Sequence, residues 1–168
     1  MAERIAVPKL CDLIADIYRA GRVIGTVETL RPPRPFLFGD EKLKVMYHTT
    51  SCRAATSIAR HGFDLSHAAS GAFGVGVNLG STTHQALLYT ARVALYNPTA
   101  NDACTLVCVV APGRTHANNR TQEGDSSVPV HVHPKPGFQS MTGAGGTILV
   151  VADPRRVMPV FCITHRVP

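Results

Sequence analysis

The amino-acid sequence predicts an α+β fold with two packed, mainly antiparallel sheets and flanking helices. Helical periodicity dominates the first part of the chain, whereas nearly continuous apolar runs at 104–111 and 147–152 indicate buried strands in the second part. Helices followed by a series of strands are typical of α+β proteins rather than of alternating βαβ units. The chain has 168 residues, a length that favours one domain spanning 1–168.

The N-terminal segment, residues 1–35, is predicted to hold an amphipathic helix and a proline-rich connector. Pro8 can begin the helix and Gly21 can end it, and apolar residues recur at helical spacing between them. The sequence Arg-Pro-Pro-Arg-Pro at 31–35 favours a rigid, extended backbone. The core of the domain is therefore expected at 43–165.

Two further helices are predicted inside this core. Ser51 can cap a helix that runs to His61, and Gly62 can end it. The threonine pair at 82–83 can cap a longer helix that extends to about Tyr96 and stops before a proline.

Strands and loops account for the rest of the core. The strands are predicted from short apolar or alternating runs, and the loops from stretches rich in glycine, serine and polar residues. Strands are expected at 43–47, 76–79, 104–111, 128–133, 147–152 and 157–164. The long loops are expected at 66–80, around the short strand 76–79, and at 112–127 and 134–146.

The charge, the apolar runs and the cysteine count limit the classes of function that the protein can have. The formal net charge is +6, which suits an anionic partner such as a dinucleotide or a nucleic acid, although no nucleic-acid-binding motif is present. No apolar run reaches the roughly 18 residues of a membrane span, and the first residues do not resemble a signal peptide. We therefore expect no membrane partner and an intracellular protein of the cytoplasm or nucleus. The five cysteines, an odd number, argue against a disulfide framework.

Three segments, taken in order, carry the strongest signal. They read MYHTTSCRAATSIARHG at 46–62, GAFGVGVNLGSTTHQALLY at 71–89 and GFQSMTGAGGTILVVADPRRVMPVFCIT at 137–164. In this order and spacing they resemble the diphtheria-toxin-like catalytic domain of poly(ADP-ribose) polymerases and of their mono-transferring relatives. The resemblance spans residues 43–165 and implies the ADP-ribosyltransferase fold and the use of NAD⁺ as a substrate.

The resemblance also implies a set of site residues. The sequence Tyr-His-Thr-Thr from Tyr47 matches the family's Tyr-His-Gly-Ser/Thr, in which the histidine bonds a hydroxyl of the adenosine ribose. Tyr89 matches the tyrosine that stacks on the nicotinamide, a role suited to a flat aromatic ring. The catalytic residues implied are His48, Tyr89 and Ile148, and the NAD⁺-binding residues are His48, Thr49, Thr50, Gly74, Asn78, Ala86 and Tyr89.

Four positions depart from the family pattern. Thr49 replaces a glycine whose backbone holds the nicotinamide amide, and its side chain is expected to crowd that approach. Asn78 replaces a tyrosine, and Ala86 replaces a serine that helps to hold the nicotinamide. Ile148 replaces the glutamate that polymerising members need for chain growth, so the resemblance implies transfer of a single ADP-ribose or no transfer.

Three functions stay open on these grounds. The first is a mono-ADP-ribosyltransferase that acts on a protein, itself included, or on a nucleic acid. The second is a catalytically silent interaction module with the same fold. The third is nucleic-acid binding by the basic surface. No metal is expected, since His131-x-His133 has no cysteine or carboxylate partner at metal spacing. The glycine-rich 143–146 lacks the lysine of a phosphate loop and is predicted to be a turn.

Overall fold

The computed structural model of the chain describes residues 1–67, 73–96, 102–118 and 133–166. These residues form three α-helices and one eight-stranded sheet, so the α+β class is confirmed. The helices are α1 (Ala2–Arg19), α2 (Cys52–His61) and α3 (Thr83–Tyr96). The strands are β1 (Val23–Thr29), β2 (Lys44–Ser51), β3 (Val77–Gly80), β4 (Asp102–Val110), β5 (Thr115–Ala117), β6 (Ser140–Gly143), β7 (Ile148–Val151) and β8 (Val157–Arg166).

The prediction of two packed sheets is wrong, because the strands form a single sheet in the order β1-β8-β4-β2-β3-β7-β6-β5. Neighbouring strands are antiparallel except β5 and β6, which are parallel. The two halves of the sheet meet at β2 and β3, which share only the register pair Tyr47–Gly80. Without this pair, the strands would form two separate sheets. Local sequence patterns can identify strands, but they cannot identify a pair between distant residues.

The helices cover both faces of the sheet. On one face, Ala6 of α1 and Ala86 of α3 belong to a buried cluster with Tyr47 and Val107. On the other face, Ala55 of α2 packs in a second cluster with strand residues that alternate with the first set. This alternation follows from the period of two along a strand. Consecutive residues of β2 therefore face different helices.

The helix ends agree in part with the sequence. Ser51 caps α2 by accepting a hydrogen bond from the amide of Ala54, and Gly62 ends that helix at a φ of 79°, as predicted. However, α1 begins at Ala2 rather than at Pro8, which lies inside the helix. The fully buried Ala6 explains the longer helix, because packing against the sheet offsets the cost of an internal proline.

Three strands were not expected from the sequence. The edge strand β1 follows α1 directly, in a stretch where only the end of the N-terminal helix and a proline-rich connector were expected. Strands β5 and β6 occupy parts of the stretches 112–127 and 134–146 that were expected to be loops. The strand expected at 128–133 lies almost wholly outside the described residues. No helix in the described part of the chain is both long and apolar enough to cross a membrane.

Candidate nucleotide site

A cavity of about 570 Å³ opens beside the point where β2 and β3 separate. Helix α2 and the turn that follows it form its opposite wall. Its polar and aromatic lining residues come from β2, α2, β3 and the segment after α2: His48, Ser51, Arg53, Ser57, Phe63, Asp64 and Asn78.

His48 spans the gap between the two separating strands. Its Nδ1 lies 2.9 Å from the backbone oxygen of Asn78, and its ring meets that of Phe63 edge-on at 5.1 Å between centroids. A carbonyl oxygen can only accept a hydrogen bond, so Nδ1 carries the proton. Nε2 is left with a lone pair and has no hydrogen-bond partner among the described residues.

The protonation state of His48 follows from its surroundings. Burial lowers the pKa of His48 below its usual value, and the hydrogen bond to the Asn78 carbonyl offsets part of this effect. The imidazole is therefore neutral near pH 7. In this form Nε2 is an acceptor for a hydroxyl or amide donor on a ligand in the cavity.

Asn78 is held on the far side of the gap by its own strand. Its Nδ2 donates to the backbone oxygen of Gly76 at 3.1 Å. Gly76 has a φ of +155°, and a Cβ there would lie 2.6 Å from the carbonyl oxygen of Val151. Gly74 also adopts a positive φ, 115°, and is buried. Gly76 lets the chain approach β7 closely and so helps to position Asn78 opposite His48.

Thr49 and Ala86 lie on the opposite face of the sheet from His48. The Thr49 hydroxyl donates to the carbonyl oxygen of Ala86 at 2.9 Å, and the Ala86 side chain is buried in the core between α3 and the sheet. Thr50, on the His48 face, is half-buried and pairs in register with Cys104. The Thr49 hydroxyl thus ties β2 to α3 and lies on the other side of the strand from the cavity.

Tyr89 and Ile148 come together in a third cluster. Ile148 is buried with Phe73, Met141 and other side chains, and the half-buried Tyr89 packs against this group. Neither Tyr89 nor Ile148 lines the cavity that His48 and Asn78 share. Six of the eight predicted residues therefore fall into three places: the cavity, the α3 face of β2, and the Tyr89 cluster. Thr50 and Gly74 lie outside all three.

Several cavity residues were not predicted as site residues. Arg53, Ser57 and Asp64 all belong to α2 or to the segment just after it. Only their position in the sequence could have identified them, because they follow His48 in, or just after, the helix that begins where its strand ends. Arg53 is the cation of this group and is exposed at the first turn of α2, where backbone N–H groups favour anions.

Metal binding has no support in the described part of the chain, where no group of three or more His, Cys, Asp or Glu side chains could hold an ion. His133 is described and exposed, whereas His131 lies outside the described residues. The glycine-rich stretch forms a tight 3₁₀ turn, Ala144–Gly146, between β6 and β7, which confirms the predicted turn.

Comparisons with known proteins do not assign this site. No protein-family model matches the chain, and a search of the curated proteins gives no match.

Proposed function

We propose that the chain binds NAD⁺ in the cavity between β2, β3 and α2, and that it transfers a single ADP-ribose to a protein side chain with release of nicotinamide. The observation that carries the proposal is the orientation of His48. Its Nδ1 is held by the Asn78 carbonyl at 2.9 Å, and its ring lines the cavity. The order of sequence blocks that resembles ADP-ribosyltransferases supplies the reaction class.

His48 is suited to hold a ribose hydroxyl. Because burial lowers the pKa of His48 and keeps the ring neutral, Nε2 accepts a proton donor and does not repel the positively charged nicotinamide ring. The edge-on contact with Phe63 fixes the plane of the ring. A ligand hydroxyl therefore meets an acceptor that needs no rearrangement, which lowers the entropic cost of binding.

Size and charge agree with a dinucleotide. The cavity of about 570 Å³ lies within the range of roughly 300–1,000 Å³ that holds small-molecule ligands. Arg53 borders it at the start of α2, where a guanidinium and the helix N-terminus together favour a diphosphate. The net charge of +6 adds a general attraction for anions.

The transfer step requires an acceptor that is already nucleophilic. Attack of an acceptor carboxylate oxygen on the anomeric carbon of the ribose breaks the carbon–nitrogen bond, and the electron pair leaves on neutral nicotinamide. Ile148 offers no carboxylate that could activate a hydroxyl of bound ADP-ribose. Aspartate and glutamate acceptors are ionised near pH 7 and need no such help.

A silent binding module is the second candidate. It is favoured by the buried, apolar setting of Ile148 and by Ala86, whose methyl group packs in the core. Neither side chain can orient a nicotinamide or polarise an acceptor. In this case the cavity binds a nucleotide without turnover.

Calorimetry with NAD⁺ tests binding, and incubation with labelled NAD⁺ tests transfer. We expect His48→Ala to weaken binding by about 1–2 kcal/mol, the range for a lost buried hydrogen bond. His61→Ala, at the exposed end of α2, is the matched control and should bind as the wild type does. Equal binding by the two variants would remove His48 from the site. Binding without labelled product would favour the silent module.

A further inference from the structure

Three cysteines that are far apart in sequence meet between α2 and the sheet. Cys52 is the first residue of α2, Cys104 lies on β4 and Cys162 lies on β8. All three line a second cavity, of about 380 Å³, on the α2 face of the sheet. Small solutes can therefore reach a group of thiols that the NAD⁺ proposal does not use.

The sulfur atoms are in direct contact. The Sγ atoms of Cys52 and Cys104 lie 2.6 Å apart, although both residues are free thiols. The Cys104 thiol donates to Cys52, its Sγ lies 3.7 Å from the Oγ1 of Thr164, and Cys162 is its diagonal neighbour across the β4–β8 pair. Cys104 is thus the central member, with one thiol on each side.

The three thiols differ in acidity. The neighbouring Cys104 thiol lowers the pKa of Cys162, and this effect outweighs burial and the nearby Glu28. Burial raises the pKa of Cys52 to about 12, and the neighbouring Cys162 together with burial raises that of Cys104. Since the thiolate is the reactive form, Cys162 is the first nucleophile of the group.

We propose that Cys52, Cys104 and Cys162 form a peroxide-reactive thiol site whose oxidised product is a disulfide between Cys52 and Cys104. The site is a place of covalent modification and does not depend on NAD⁺ binding. Its oxidant is hydrogen peroxide.

The reaction balances in three steps. The Cys162 thiolate attacks one peroxide oxygen, the O–O bond breaks, and the leaving hydroxide takes a proton to become water, which leaves a sulfenic acid. The thiol of Cys104 displaces water from that sulfenic acid and forms a Cys104–Cys162 disulfide. Cys52 then loses its proton to solvent and attacks Cys104, and Cys162 leaves as the thiolate. In sum, two thiols lose two electrons, and one peroxide becomes two waters.

Strand register decides which disulfide is the product. Cys104 pairs with Thr164, and Cys162 pairs with Leu106, so the two cysteines are diagonal neighbours on antiparallel strands. Diagonal positions are roughly 7–8 Å apart, whereas the Cα atoms of a disulfide are usually about 4.4–6.8 Å apart. The Cys104–Cys162 bond is therefore strained and is exchanged. Cys52 follows the last β2–β4 pair, Ser51–Ala103, at the start of α2, and its Sγ already lies 2.6 Å from that of Cys104.

The disulfide would tie the start of α2 to the centre of the sheet. Ser51 and Arg53, the neighbours of Cys52, both line the candidate nucleotide cavity. Oxidation therefore links the start of α2, which borders that cavity, covalently to β4. A change in the shape of the cavity on oxidation follows directly from this connection.

Peptide mapping after mild peroxide treatment and alkylation tests the site. Trypsin places Cys52 in 45–53, Cys162 in 157–166, and Cys104 together with Cys108 in 93–114. We expect the protein to lose two of its five free thiols and to yield a 45–53/93–114 cross-link that dithiothreitol reverses. The same cross-link in Cys108→Ala assigns it to Cys104, and its loss in that variant would overturn the proposal.

Two substitutions test the order of events. Cys162→Ser should slow the cross-link by about tenfold or more without changing its identity, because the acidic thiol is gone. Cys11→Ser removes an exposed thiol on α1 and should leave the rate unchanged. Circular dichroism of each variant before oxidation separates unfolding from chemistry. A cross-link that forms equally fast without Cys162, or a stable product that contains 157–166, would contradict the proposed steps.

Discussion

The Nε2 atom of His165 lies 2.9 Å from the Oγ1 of Thr105, and both side chains are fully buried. Arg22 donates to Nδ1 of His165 at 2.9 Å, so the ring proton is on Nε2 and is donated to Thr105. Thr105 then donates to Thr49, and Thr49 donates to the carbonyl oxygen of Ala86, each at 2.9 Å. This chain of bonds runs in one direction across three strands to α3, and it requires a neutral histidine.

We expect the protein to lose stability as the pH falls below 7. Burial, with a further effect of Arg22, lowers the pKa of His165 to about 4, whereas an unfolded histidine titrates near 6.5. Between these values the unfolded state binds more protons, so the free energy of unfolding decreases with acidification. From pH 7 to pH 5 the loss from this one group is about 2 kcal/mol. Urea unfolding at both pH values measures it.

His165→Gln is the control for this pH effect. The glutamine amide can still donate to Thr105 but does not titrate. We expect a lower stability at pH 7 and a pH dependence that is flatter by about 2 kcal/mol over the same interval. His48, whose pKa is also lowered, remains in the variant and keeps part of the slope. An unchanged slope would show that His165 is not the group responsible.

Tyr89→Ala should reduce stability and leave NAD⁺ binding in the cavity unchanged. The ring is half-buried against the cluster of Ile148 and Phe73, so about 1–2 kcal/mol of folding stability is lost. Because Tyr89 does not line the cavity that His48 and Asn78 share, its removal takes no contact from a ligand bound there. Tyr89→Phe keeps the ring and should stay close to the wild type in stability. Thermal unfolding and calorimetry of the two variants measure both effects, and weaker NAD⁺ binding by a folded Tyr89→Ala would contradict the proposed place of the ligand.

We expect labelled NAD⁺ to give single ADP-ribose units or no product, and never polymer. Ile148 is 2% exposed, and its neighbours on either side, Thr147 and Leu149, carry no carboxylate. Ile148→Glu is not expected to restore chain growth, because an unpaired carboxylate among Phe73 and Met141 would destabilise the fold by about 3 kcal/mol or more. Gel analysis of the products decides, and a polymer ladder from the wild type would contradict this prediction.

Gly143→Ala should destabilise the protein through the Phe73 ring. A Cβ at this position would lie 2.2 Å from a ring carbon of Phe73, which is itself buried. Overpacking of this kind costs about 1–3 kcal/mol. Gly25→Ala, on the edge strand, is the matched control because its Cβ would meet only ordinary contacts at 3.7 Å. Thermal unfolding should separate the two variants clearly, and equal melting temperatures would argue against the close contact.

The sequence predicts elements whose signals are local. The cap at Ser51 and the glycine that ends α2 depend only on residues a few positions away. Strands β4 and β7 are recognised by their continuous apolar runs. The sequence does not predict β1, because β1 is an exposed edge strand without an apolar pattern. It is stabilised by pairing with β8, at the other end of the chain. The joining of two half-sheets into one depends on Tyr47 and Gly80, and neither position carries a pattern that reveals it.

The candidate site is predictable to a similar extent. The sequence selects His48 and Asn78, but the contact between the His48 ring and the Asn78 carbonyl joins residues 30 positions apart. The expectation that Thr49 crowds the site assumed that its side chain faces the ligand. The period of the strand instead directs the hydroxyl to Ala86 on the other face. Side-chain direction at a site therefore needs the register of the strand as well as its position.

Beyond Tyr47, where β2 separates from β3, the β2 backbone has no paired strand on that side among the described residues. This stretch therefore resembles an edge strand, although β2 lies inside the sheet. Edge strands at the border of a protein recruit other chains, which is why they are often charged or covered. Here β3 lies on one side of β2 and β4 on the other, so the open stretch of β2 faces strands of the same sheet on both sides. The backbone beyond Tyr47 is thereby screened from aggregation while it stays open to a small ligand.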